Sequence, residues 1–211
     1  MRRFGLVGRT LAHSFSAAYF AEKFRREGLD DCSYALCELP SVDGVRDLLE
    51  REPELCGFNV TIPYKRSILP LLDELSFEAQ CIGAVNCVKR TAGGRLCGYN
   101  TDVEGIYASL TQLLDGELPD EALVLGTGGA SQAVQYALAQ WGIPYRLVSR
   151  DAARGDYTYD NLPCEVVERS HLIINATPVG TYPAVNEAPR IPYGYVTPDF
   201  GNPLVGFATF V

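Results

Sequence analysis

Apolar runs and amphipathic stretches alternate along the chain. Residues 3–7 read as a first strand, ended by Gly8. The spacing of Tyr19, Phe20 and Phe24 predicts a helix over 17–26, entered through a polar turn that carries Ser14 and Ser16. A second strand is expected over 33–39, and a helix over 41–50 with Val42, Val45, Leu48 and Leu49 as its apolar stripe. Residues 56–63 predict a third strand stopped by Pro63, followed by a helix over 67–75. Strands at 84–88 and 95–99 flank the hairpin signal Thr91-Ala-Gly93-Gly94, and a helix is expected over 103–114.

The second half repeats the alternation. A strand at 122–125 runs into Gly126-Thr-Gly128-Gly129-Ala130-Ser131, then a helix over 130–140 and strands at 145–149 and 172–174; residues 161–166 show no clear period. The expected fold class is α/β, with two α/β domains. An N-terminal α/β unit with a mainly parallel sheet covers 1–102. A connecting helix and linker cover 103–120, and a Rossmann-like dinucleotide-binding domain covers 121–211.

Strand, glycine turn and helix in this order form a place for phosphate. Gly126 permits the sharp turn, Gly128 lets an anion approach the backbone, and the helix start at Gly129 and Ala130 offers unpaired N–H groups. Ser131 stands where the third glycine of the usual pattern would be.

Composition narrows the partners. The 211 residues carry a net charge of −8, which argues against nucleic acid or an anionic membrane as partner. No apolar run approaches the roughly 18 residues of a membrane span, and the N-terminus lacks the apolar stretch of a signal peptide. A cytoplasmic protein is the expectation. Seven cysteines without a C-x-x-C pair predict reduced, largely buried thiols. With two histidines and no paired ligand spacing, no metal site is expected.

Three polar clusters fall at strand ends in the first half: Asn59, Thr61 and Lys65; Asn86; Asn100 and Asp102. In open α/β sheets ligands lie beyond the carboxyl ends of strands, so these side chains are candidates for one crevice. Lys65 reads either as a surface lysine after a proline or, beside a carboxylate such as Asp102, as a general acid or base. Ser14 and Ser16 read either as helix caps or as two hydroxyls holding a polyhydroxylated ligand.

Six motifs then occur in one order: Gly8-x4-His13-Ser14-x-Ser16, Asn59-Val-Thr61-x-Pro63-x-Lys65, Gly83-Ala-Val-Asn86, Asn100-Thr-Asp102-x-x-Gly105, Gly126-x-Gly128-Gly129-Ala130 and Asn175-Ala-Thr177-Pro178-x-Gly180. Together they resemble the shikimate dehydrogenase family, and the resemblance implies a substrate-binding catalytic domain over 1–102 followed by a Rossmann-like NADP-binding domain over 121–211, in a cytoplasmic enzyme that is a monomer or homodimer. The resemblance implies NADPH-dependent, reversible reduction of 3-dehydroshikimate to shikimate in aromatic amino-acid biosynthesis. It implies that Ser14, Ser16, Asn59, Thr61, Asn86 and Asp102 hold the substrate, and that Lys65 and Asp102 form the catalytic pair. It also assigns Gly126, Gly128, Gly129, Ala130, Ser149, Arg150, Asn175, Thr177 and Pro178 to the cofactor. Arg150, with Arg154 nearby, suits the 2′-phosphate of NADP, while Asp151 follows it where the family pattern has threonine.

The C-terminal stretch departs from that pattern. Asp199-Phe-Gly-Asn202-Pro203 lacks the tyrosine of the family's Asp-x-x-Tyr-Asn-Pro, and Thr181 replaces a methionine. The family's glutamine-bearing segment and terminal helices do not follow before Val211. The expectation is a chain that binds NADP(H) and turns substrate over poorly. The alternatives are a quinate/shikimate dehydrogenase of broader specificity and a non-catalytic binding protein on the same fold.

Overall fold

Strand β1 (Arg2–Gly8) is flanked on both sides by parallel strands, β2 (Cys32–Glu38) and β3 (Leu55–Val60). A computed structural model of the chain describes residues 2–182 and 184–196, and the backbone of a strand at 206–209. They fall into two compact units, Met1–Thr101 and Asp102–Val211.

In the first unit the sheet continues through β5 (Cys87–Arg90) and β6 (Leu96–Tyr99) to β4 (Glu74–Leu75), in the order β2-β1-β3-β5-β6-β4. Only β5 runs against the others. Register decides which side chains share a face, because successive residues of a strand point to opposite sides. Phe4 pairs with Tyr34, Leu6 with Asn59, and Asn59 with Cys87, so these side chains share one face. Helix α1 (Ser16–Arg26) covers that face: Phe24 lies 6.0 Å from Phe4, and Phe20 stacks on Tyr34 at 4.3 Å. On the opposite face Val7, Phe58, Val60 and Val88 join Val45 and Leu48 of α2 (Gly44–Arg51) in one apolar core.

The helix expected over 67–75 does not form. Pro70 sits in a single 3-10 turn, Leu69–Leu71, and Glu74–Leu75 pairs with β6 instead. The helix comes later, as α3 (Phe77–Ile82), because Ser76 Oγ accepts the Ala79 N–H (3.2 Å) at its start and Gly83 (φ 67°) ends it. Helix α2 also begins later than expected, since the Ser41 hydroxyl donates to Asp43 (2.8 Å) in a turn ahead of it. Residues 56–63 give a strand only to Val60, and Thr61 turns away.

The second unit opens with α4 (Asp102–Leu114), followed by β7 (Ala122–Leu125), α5 (Gly129–Gln140) and β8 (Tyr145–Ser149). It continues through β9 (Tyr157–Thr158), α6 (Cys164–Arg169), β10 (Leu172–Asn175) and β11 (Gly206–Thr209). All its described strands are parallel, in the order β11-β10-β7-β8-β9, with the first strand central as in a Rossmann sheet. Every residue of β7 and β10 is buried, as befits strands covered on both faces. Ala133, Val134, Ala137 and Leu138 are the buried positions that α5 turns inward. The aperiodic stretch over 161–166 contains the start of α6, capped by Pro163. Neither β9 nor β11 was expected, and Asp199–Pro203 lies outside the described residues.

The cysteines are less buried than their apolar neighbours suggest. Among the described residues all seven thiols are free, Cys97 alone is buried, and Cys81 is exposed. No helix among the described residues is long and apolar enough to cross a membrane, and no cluster of metal-ligating side chains is found there.

Candidate active site

Three of the predicted substrate residues of the first unit, Asn59, Thr61 and Asn86, lie together at one end of its sheet. Thr61 follows β3 and its N–H donates to the Val7 carbonyl at the end of β1 (2.9 Å). Asn86 precedes the reversed strand β5, which brings it to the same end, and its carbonyl accepts the Val60 N–H (2.8 Å). Its own N–H donates to the Tyr99 carbonyl at the end of β6 (3.1 Å). The turn from Gly8 to Ser16 lies against Thr61: a side chain at Gly8 would come within 2.7 Å of both the Leu11 and Thr61 methyl groups.

Both serines sit at the entry to α1 and are half-buried. Ser14 Oγ accepts the Ser16 N–H (3.2 Å), so Ser14 takes the local, helix-start role. Ser16 stands one helical turn before Phe20, whose ring stacks on Tyr34 (4.3 Å). The Tyr34 hydroxyl donates to Asn59 Oδ1 (2.9 Å), and Asn59 Nδ2 donates to the Asn86 carbonyl (3.3 Å). Burial pushes the Tyr34 phenol well above its ordinary range, with the nearby Cys87 and Cys37 thiols adding to the shift. Its hydroxyl is therefore a proton donor throughout the physiological range.

Asn86 extends the network. Its Oδ1 accepts both the Thr101 N–H (2.8 Å) and the Thr101 hydroxyl (3.2 Å). Asn100, also buried, donates Nδ2 to the Ala84 carbonyl (3.0 Å). Lys65 is half-buried, and its carbonyl accepts the Val85 N–H (2.7 Å), which ties the Lys65 backbone to the loop carrying Asn86. Tyr64 anchors that turn from below, buried and donating its hydroxyl to the Leu39 carbonyl (2.6 Å). Asp102 follows Thr101 directly and is the first residue of α4, in the second unit.

The remaining predicted residues gather around the glycine turn of the second unit. Gly126 has φ 105°, and a Cβ there would lie 2.9 Å from the Thr177 methyl and 3.0 Å from the Ala176 carbonyl. A Cβ at Gly128 would meet nothing within 4 Å. Gly128 is the N-cap of α5 and makes no side-chain hydrogen bond, so no capping side chain takes up the first-turn N–H groups, the donors a phosphate needs. Ser149 Oγ lies 3.2 Å from Thr127 Oγ1 and accepts the Asp151 N–H (3.1 Å). Arg150 is exposed at the end of β8. Asp151 Oδ1 accepts the Ala153 N–H (3.0 Å), and Arg154 reaches back to donate to the Thr127 carbonyl (2.5 Å). The chemistry of this donor set, backbone N–H groups and two guanidinium groups, suits a dinucleotide bearing an extra phosphate.

The Asn175–Gly180 loop is organised from within. Asn175 Oδ1 accepts the Thr177 N–H (3.0 Å) and hydroxyl (2.6 Å), and its Nδ2 donates to the Val179 carbonyl (2.9 Å). Asn175 and Thr177 thus shape the loop with their side chains, and Pro178 is left exposed at its tip. Sequence reasoning missed Tyr34 and Thr127. Tyr34 sits in a strand with no polar periodicity, and Thr127 is the variable residue between two glycines, so neither carries a local signal.

Residues 6–88 match the family described as the shikimate dehydrogenase substrate binding domain. The shikimate dehydrogenase (NADP(+)) of Chlorobaculum tepidum is 35% identical over 200 residues, covering 84% of this chain and 67% of that protein. The crystal structure of shikimate 5-dehydrogenase from Thermus thermophilus, in complex with NADP(H) and shikimate, superposes with a TM-score of 0.76 at 34% identity. That match covers 92% of this chain and 75% of the other. Quinate dehydrogenase from Corynebacterium glutamicum in complex with NAD superposes with a TM-score of 0.82 at 25% identity, over 100% of this chain and 80% of the other.

Proposed function

The chain belongs to the shikimate dehydrogenase family, and we propose that it interconverts 3-dehydroshikimate and shikimate with NADP(H). The observation that carries the reading is the gathering of Asn59, Thr61, Asn86 and the Lys65 backbone at one end of the sheet. A small, polyhydroxylated carboxylate calls for hydroxyls and amides with one cation, and in this reading Lys65 provides the cation. In this reading Ser14, Ser16, Asn59, Thr61, Asn86 and Asp102 hold the hydroxyls and carboxylate of the substrate.

Lys65 acts as the general acid of the reduction. Its ammonium gives a proton to the carbonyl oxygen as negative charge develops there, and its amine takes the proton back in the reverse direction. Asp102 keeps Lys65 oriented and charged. Bound NADPH supplies the hydride. Gly126, Gly128, Gly129 and Ala130 cradle the pyrophosphate, Ser149 and Arg150 receive the 2′-phosphate end, and the Asn175, Thr177 and Pro178 loop borders the cofactor. The enzyme in this reading is cytoplasmic and works as a monomer or homodimer without nucleic acid or membrane.

A second reading, quinate oxidation with NAD, is favoured by one observation. Asp151 places a carboxylate directly after Arg150, which opposes a 2′-phosphate, and a quinate dehydrogenase is among the similar structures. Assays pairing shikimate or quinate with NADP⁺ or NAD⁺ test both: the first reading requires shikimate and NADP⁺ to give the highest kcat/KM.

A further inference from the structure

The proposed substrate site of the first unit contains a side chain that none of the sequence motifs includes. Tyr34 lies on β2, two strands away from Asn59 on β3, and its ring spans β1 to reach it. The ring is fixed from α1 by Phe20, stacked at 4.3 Å and 11°. Phe20 is one helical turn beyond Ser16, so one helix face delivers both the stacking partner and the serine.

The consequence lies in the Asn59 amide. An asparagine side chain has two N–H donors and an oxygen with two lone pairs. Here one lone pair takes the Tyr34 hydroxyl (2.9 Å) and one N–H goes to the Asn86 carbonyl (3.3 Å). Both ends of the amide are thus held, and its orientation is set. One N–H and one lone pair remain for a ligand. With the tyrosine hydroxyl removed, only the longer of the two bonds would fix the amide.

We propose that Tyr34 is a positioning residue for substrate, its hydroxyl reaching from β2 across β1 to hold Asn59 on β3 so that the Asn59 amide meets a hydroxylated ligand in one orientation. The inference rests on the shikimate reading of the same site. Tyr34 acts through Asn59, so its effect falls on substrate affinity and leaves the cofactor alone.

The test is Tyr34→Phe, which keeps the ring on Phe20 and removes only the hydroxyl, in the full chain. Shikimate binding is measured by calorimetry, and kcat and both KM values by absorbance at 340 nm. The shikimate Kd and KM are expected to rise about 3- to 10-fold, the range that one hydrogen bond supplies. The NADP⁺ KM is expected to stay within about 1.5-fold, with kcat changed less than the shikimate KM. The same substitution made in an Asn59→Ala background is expected to add no further loss, which a general structural defect would not reproduce. An unchanged shikimate Kd in Tyr34→Phe, or an equal loss in both backgrounds, overturns the inference. If the unsubstituted chain binds shikimate and only these outcomes fail, the functional reading stands without it. If the unsubstituted chain does not bind shikimate, both fall.

Discussion

Asn86 and Thr101 are locked together through both ends of the asparagine side chain. Asn86 Oδ1 accepts the Thr101 N–H (2.8 Å) and hydroxyl (3.2 Å), while its Nδ2 lies 3.0 Å from the same hydroxyl oxygen. Asn86 is buried, so these partners replace water that it has lost. The clamp fixes the backbone one residue before Asp102, which makes the position of a proposed catalytic carboxylate depend on a residue 16 places earlier in the sequence.

Asn86→Ala therefore removes the acceptor of the Thr101 N–H together with an amide proposed to hold substrate. The expected cost is about 1–3 kcal/mol of stability, read as a thermal midpoint lower by several degrees. Thr101→Val keeps the backbone bond and is expected to cost less. Thermal unfolding of the two variants beside the unsubstituted chain gives the comparison.

Lys65→Ala is expected to lower kcat by ~10²–10⁴-fold. The Lys65 carbonyl, which holds the Val85 N–H, is untouched by the substitution, so the fold should persist. Circular dichroism checks the fold, and single-turnover rates check the chemistry.

The two glycines of the phosphate turn are expected to respond in opposite ways. At Gly126 a methyl group meets the Thr177 side chain and the Ala176 carbonyl with φ at 105°, so Gly126→Ala should destabilise by roughly 2–4 kcal/mol. At Gly128 a methyl group meets nothing in the protein, and Gly128→Ala should cost less than about 1 kcal/mol. It would instead occupy the space left for phosphate, and the NADP⁺ KM should rise about tenfold or more. Melting temperature and cofactor KM, measured together, separate the two.

Alkaline stability carries a further sign. Burial raises the Tyr34 phenol above its ordinary value of about 10, so the folded chain holds the neutral form more strongly than the unfolded chain does. That contribution is complete below about pH 10, where both forms keep the proton, and is lost as pH rises through the raised value. Burial raises the Cys37 and Cys87 thiols in the same direction, and their contribution begins to fall from about pH 8.5. Denaturant midpoints between pH 8 and 11.5 should decline, and decline less steeply in Tyr34→Phe. An equal slope in the variant would contradict the assignment to Tyr34.

The α/β alternation was legible because buried strands such as 122–125 are continuous apolar runs and the glycine turn follows at once. The polar clusters proposed for the site were legible as strand boundaries: Asn59 and Thr61 flank the end of β3, Lys65 follows it, and Asn86 comes just before β5. Long-range pairing was not. Tyr34 meets Asn59 only because β2 and β3 both pair with β1, and nothing in the spacing of the two residues encodes it. The helix over 67–75 failed through Pro70, and the Ser76 cap that starts α3 instead lies just beyond the run that was expected to be helical. The cysteines misled because an apolar neighbourhood in sequence does not bury an edge-strand side chain such as Cys32 or Cys37.

The measurement that bears most directly on the central claim is shikimate oxidation with NADP⁺ at 340 nm, run on the unsubstituted chain and on Lys65→Ala. The account predicts shikimate-dependent NADPH formation that falls at least about a hundredfold in the variant while shikimate and NADP⁺ still bind. Equal rates in the two proteins, or no shikimate-dependent turnover by the unsubstituted chain, would contradict it.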